Sequence, residues 1–123
     1  MVVVQTTSWP HKYFRRDEVE CKCGCGQVPK TEFLVKLDKL RETYGKPIKI
    51  TSGYRCVSYN AVIKGSPNSR HIEGIAVDIA CTSAEGFTLA QIALKMGFGG
   101  IGVAKTFLHL DTRPQTEGRL WTY

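Results

Sequence analysis

Residues 69–80 read SRHIEGIAVDIA. From Ile75 to Ala80 the run is short, rich in β-branched residues and led in by Gly74, the signature of a buried strand. Asp78 interrupts it. A carboxylate in such a strand is costly unless a cation or several hydrogen bonds replace its lost hydration. His71 stands at the other end of the run, so one imidazole and one carboxylate bracket an apolar segment.

Working outward, Phe33, Leu37, Leu40 and Tyr44 recur at helical spacing, with Leu34 widening the stripe, and predict a helix over Thr31–Tyr44 that Gly45 and Pro47 close. Residues 47–51 alternate like a strand and run into Ser52-Gly53-Tyr54-Arg55. Residues 57–63 suit one or two helical turns, and residues 65–69 are loop by composition. Ser83 is expected to cap a second helix reaching Met96, with Gly97 as its stop. Residues 99–103, Phe107–Asp111 and Arg119–Tyr123 read as three further strands. Helices and strands mix without regular βαβ alternation, which predicts an α+β fold with a mainly antiparallel sheet. The glycines at 99, 100 and 102 are not a phosphate loop, because no Lys-Ser/Thr follows at the required spacing.

At 123 residues the chain suits one domain, 1–123, with an N-terminal arm over 1–30 and a core over 31–123. No apolar run approaches membrane-spanning length. The first residues carry no basic region, so no secretory signal is expected and synthesis in the cytoplasm is. The net charge of +6 draws the protein towards polyanions. Its positive residues are dispersed and not interleaved with aromatics, which argues against nucleic acid. Monomer is the default.

Three of the five cysteines cluster as Cys21-Lys22-Cys23-Gly24-Cys25, with Cys56 and Cys81 distant. The paired C-x2-C pattern of structural zinc is absent. The expectation is therefore a glycine-rich turn packing reduced thiols against the core, in preference to a metal knot, with one disulfide open to a chain that reaches an oxidising compartment.

Of the three histidines, His11 reads as a surface or packing residue. His71 and His109 each lie beside an apolar strand and near an aspartate. Two imidazoles and one carboxylate are the donor set of a catalytic zinc site whose fourth position is left to water. A histidine satisfied by backbone, with an aspartate capping a turn, is the alternative that the residues alone leave open.

The segment Ser69 to Asp78 resembles the S-x-H-x-x-G-x-A-x-D motif of the zinc D-Ala-D-Ala carboxypeptidases and related peptidoglycan peptidases, which share the fold of the Hedgehog signalling domain. Residues 50–55 with Tyr59-Asn60 are similar to the same family's I-T-S-G-Y-R…Y-N box. Residues 99–102 and 107–112 are similar to its G-x-G…H-x-D strand pair, and Phe14 to Gly26 to the N-terminal segment of one branch. These boxes span most of the chain. The resemblance implies that His71, Asp78 and His109 bind one zinc ion and that Arg55 binds substrate and stabilises the oxyanion. It also implies a substrate contact for Ser69. In several relatives the general base lies three residues before the second zinc histidine, where this chain has Thr106. Asp111, on the same strand face as His109, is the expected substitute, with Glu73 as runner-up and a ligand-orienting role or a hold on Arg113 as the alternative for Asp111. Tyr54 and Trp121 are expected to wall the cleft or to serve the core.

The function implied is a peptidase that cuts peptidoglycan stems or cross-links. A compact chain of this kind resembles phage endolysins, made in the host cytoplasm and acting on the wall. A zinc-binding, non-catalytic module of the same fold is the alternative.

Overall fold

The computed structural model describes residues 9–123; the first eight residues of the arm, and the expectations resting on them, lie outside it. Five strands form one sheet: β1 (Lys49–Ser52), β2 (Ala76–Ala80), β3 (Gly100–Val103), β4 (Phe107–Asp111) and β5 (Arg119–Thr122). Their order is β1-β2-β4-β3-β5. Three neighbouring pairs are antiparallel, while β3 and β5 run parallel. The helices are α1 (Arg16–Val19), α2 (Thr31–Tyr44), α3 (Val57–Val62) and α4 (Ser83–Lys95). This is the expected α+β class, and the sheet is mixed because β5 returns beside β3.

The period of two explains the sheet's two chemistries. On β2 and β4, Val77, Ile79, Leu108 and Leu110 are buried in the core with Ile101 of β3. Helices α2 and α4 complete that core with Phe33, Leu34, Leu37, Leu40, Leu89 and Ala93. Each such Leu or Phe side chain contributes about 1.5–3 kcal/mol by leaving water. The alternate positions, Asp78, His109 and Asp111, share the opposite face. Asp78 and His109 are direct cross-strand partners.

Helix α2 has the bounds its stripe predicts. Gly45 ends it in the left-handed region at φ 78°, its N–H donating to the Arg41 carbonyl at 3.0 Å. The cap of α4 differs from expectation by one residue. Thr82, rather than Ser83, accepts from the Glu85 N–H, and the Thr82 N–H in turn donates to the Glu85 carboxylate. Glutamate three residues on selects Thr82, because the reciprocal box satisfies two helix-end donors. The short α1 and a single 3-10 turn at Gln115–Glu117 are elements that apolar periodicity does not announce.

The N-terminal segment is tied into the core by Phe14 and Val19. His11 is a packing residue: it is buried, pairs with Asp38 and stacks on Phe14 with centroids 5.6 Å apart. Among the described residues no helix is long and apolar enough to cross a membrane.

Candidate metal centre

Three donors converge on the polar face of the sheet. Strand β2 carries Asp78, β4 carries His109 opposite it, and the turn before β2 delivers His71. Gly74, at φ 77°, gives that turn its left-handed step into the strand. Asp78 Oδ1 lies 3.2 Å from His71 Nε2 and 3.0 Å from His109 Nδ1. The two rings are 5.1 Å apart. One donor atom from each residue falls within 4.8 Å of the others.

The outer ring nitrogens are committed elsewhere. His71 Nδ1–H donates to the Gly53 carbonyl at 2.7 Å, and His109 Nε2–H donates to Asp111 Oδ2 at 2.8 Å. Each bond fixes a tautomer whose lone pair points inward. Two lone pairs facing one carboxylate oxygen need a cation or a proton between them. The spacings also approach the edge of a tetrahedron with metal–ligand bonds of 2.0–2.1 Å, about 3.4 Å. Donor chemistry and spacing therefore both fit a metal ion with nitrogen and oxygen ligands.

The electrostatics agree. Burial opposes the charge on Asp78, yet hydrogen bonds with His109 and His71 more than offset it and hold the carboxyl well below its ordinary range. Burial likewise opposes protonation of His109, and its bonds to Asp111 and Asp78 outweigh that, raising its pKa. Asp111 is held low despite burial by Arg113 and His109.

Asp111 corrects the strand-face expectation. It shares a face with His109 but lies behind it, fully buried, and does not line the cleft. Arg113 grips both its oxygens, Nε to Oδ1 at 2.9 Å and Nη2 to Oδ2 at 2.8 Å. Gly100 is its cross-strand partner, and a Cβ there would strike the carboxylate. The absent side chain makes the pocket in which Asp111 folds under the sheet's surface. Glu73 also does not line the cleft, and it pairs with Arg70 at 3.2 Å. Thr106 is exposed in the turn between β3 and β4.

A cleft of roughly 460 Å³ opens over the donors. Arg55 reaches into it, with Nη2 3.6 Å from Asp78 Oδ2 while Asn60 Oδ1 accepts from Nη1 at 3.0 Å. Ser69 also lines it, though its hydroxyl accepts from the His71 N–H at 3.2 Å and so orders the loop. Trp121 forms a wall, its ring 5.1 Å from that of His109 and seated over Gly102. Tyr54 is not among the lining residues; its N–H donates to the Val19 carbonyl at 2.8 Å. Phe107, Arg113 and Tyr123 line the cleft, a position the sequence reading assigns to none of them. Phe107 was within reach, since it alternates with His109 along β4. Arg113 and Tyr123 follow only once the strand order is known.

A second donor cluster is present. Cys21, Cys23, Cys25 and Cys56 bring their sulfurs within 4.8 Å of one another. Cys23 and Cys25 are exposed and only Cys21 is buried, so the turn does not pack its thiols against the core as expected. The reason is tertiary: Cys56, from the cap of α3, meets the turn at the surface. Cys81 stands apart from this group.

An α+β sheet with a histidine–aspartate–histidine donor set below an arginine-bearing cleft defines a site able to hold a metal ion beside an open binding cleft. The chain belongs to the Peptidase M15 family, whose profile matches residues 12–111. Over 64 residues, 51% of this chain, it is 41% identical to the zinc D-Ala-D-Ala carboxypeptidase of Streptomyces albus G. That stretch covers 25% of the relative, so the chain matches about a quarter of its length.

Proposed function

We propose that this protein is a zinc-dependent peptidase of the peptidoglycan peptide stem or cross-link, of the D-Ala-D-Ala carboxypeptidase or endopeptidase type. The observation that carries the reading is the convergence of His71, Asp78 and His109 on one point at the floor of an open cleft. Zinc held there would supply a Lewis acid for the scissile carbonyl and a bound water of lowered pKa. Asp111 orients His109 and keeps its inner nitrogen available. Arg55, fixed by Asn60 and Ser52, presents forked N–H donors that suit a substrate carboxylate or a developing oxyanion. Trp121, Phe107 and Tyr123 shield the cleft and offer apolar contact.

We further place the activity at the bacterial cell wall, as for a phage endolysin acting on its host as a monomer. The +6 charge supports this by favouring adsorption to an anionic envelope. A second reading, a zinc-bound module that recognises wall peptide without cutting it, is favoured by one observation. Among the described residues lining the cleft, Asp78 is the sole carboxylate, and it is a metal donor.

Digestion of purified peptidoglycan, with product masses, separates the two. New amine termini released by the zinc-loaded protein and not by His71→Ala would support the peptidase and name the bond. Binding of intact peptidoglycan with no new amine would instead establish the module.

A further inference from the structure

We propose that Cys21, Cys23, Cys25 and Cys56 form a second, structural metal site that takes one thiophilic divalent ion, zinc by preference. The sulfurs are already gathered: Cys21 to Cys23 is 3.4 Å and Cys23 to Cys56 is 3.6 Å. A tetrahedral zinc with four thiolates at 2.3 Å has an edge of about 3.8 Å. All four sulfurs lie within 4.8 Å of one another, so closing on an ion needs only small side-chain movements. Four sulfurs and no oxygen exclude hard cations, and four protein ligands leave no open position. Such a centre holds structure and does no chemistry.

The surroundings are those of bound thiolates. The Cys56 N–H donates to Cys21 Sγ at 3.4 Å, the Tyr59 N–H to Cys56 Sγ at 3.4 Å, and Gln27 Nε2 to Cys25 Sγ at 3.6 Å. Donors aimed at ligand atoms fix and stabilise their charge. Gly24 and Gly26, at φ 87° and 80°, let the turn curl its three cysteines onto one point. The Cys21 N–H closes that turn on the Gln27 carbonyl at 2.9 Å.

The location gives the ion a task. Cys56 caps α3 and directly follows Arg55, while the Tyr54 N–H and Lys22 Nζ already bond Val19 and Thr51 carbonyls across the same junction. An ion there pins the N-terminal turn to the segment that carries Arg55 into the cleft. The proposal does not depend on what the cleft does.

The test is metal stoichiometry on chains purified under reductant, with cobalt exchange as the spectroscopic readout. Wild type should hold two ions per chain, His71→Ala/His109→Ala one, and Cys23→Ser/Cys25→Ser one. Cobalt in the histidine variant should show the near-ultraviolet thiolate-to-metal charge transfer that a nitrogen–oxygen site lacks. Cys81→Ser should keep both ions. That spectrum is read on a chain with all its cysteines, so a poorly folded cysteine variant leaves the test standing. A folded histidine variant with no metal and no charge-transfer band would overturn the proposal. So would a Cys23–Cys56 disulfide in metal-free chain isolated under reductant.

Discussion

The two donor clusters are built on opposite plans. The histidine–aspartate centre rests on strands: Asp78 and His109 are register partners in the middle of the sheet, and His71 is tied to Gly53 by its outer nitrogen. Its candidate donors are nearly buried, and its open side faces a cleft. The cysteine cluster rests on a surface turn and the N-cap residue of a short helix, with two of its four thiols exposed. Rigid strands give a site whose geometry exists before the ligand arrives, which suits chemistry. A turn gives a site whose geometry is completed by the ion, which suits stapling.

The comparison breaks most visibly at Asp111. If it orients His109, Asp111→Asn should weaken cleft metal affinity by about 10–100-fold, the usual cost of losing such a partner. Excess zinc should then restore most of the peptidase rate, and the cysteine-bound ion should be unaffected. A general base behaves differently: the rate would stay low at saturating zinc. Zinc titration combined with peptidoglycan digestion distinguishes the two outcomes.

Next in size are two glycine substitutions that probe the plans separately. At Gly100 a Cβ would meet the buried Asp111 carboxylate, so Gly100→Ala should cost about 1–3 kcal/mol of stability and lower cleft metal affinity with it. At Gly24 a Cβ meets nothing within 4 Å, but φ is 87°. Gly24→Ala should cost roughly 1–2 kcal/mol from backbone strain alone and leave cleft metal affinity unchanged. Denaturant melts and metal titrations on both variants check this. Equal effects on the cleft from both would mean that the two regions are not independent.

This difference in construction also governs what the sequence discloses. The three cleft donors are legible only through resemblance to family motifs, whereas helix α2 and the strand around Asp78 are encoded locally, by a stripe or by a short β-rich run. The polar face of β4 is legible for the same reason. What local pattern omits is depth. Alternation places Asp111 beside His109 but is silent on whether it faces the cleft or sinks behind a glycine, and Gly100 belongs to another strand. The cysteine turn has no C-x2-C pair, and its fourth member lies 33 residues from Cys23. Only the docking of that turn on the cap of α3 makes four donors of them. The cap of α4 shows the remaining resolution limit: Thr82 and Ser83 are both good caps, and Glu85 decides between them.

The smallest effect concerns protons. In the metal-free chain His109 lies between two carboxylates, and its pKa is raised because its bonds to Asp111 and Asp78 outweigh the opposing effect of burial. A group with a raised folded pKa adds stability that is complete below its unfolded value, about 6.5, and disappears as pH climbs through the folded value. Asp78 and Asp111, held low, stay ionised throughout that window and add no slope. Metal-free protein should therefore melt at progressively lower temperature as pH rises from about 6 past the His109 value, and metal-free His109→Gln should lack that decline. With zinc bound the sign reverses, because the inner nitrogen is then a ligand and falling pH sets protons against the ion. Thermal melts across pH, with chelator and with zinc, read both slopes. Parallel slopes in the two series would mean that no proton takes the metal's place between His109 and Asp78. The cleft centre would then lack the preformed charge balance that sets it apart from the cysteine turn.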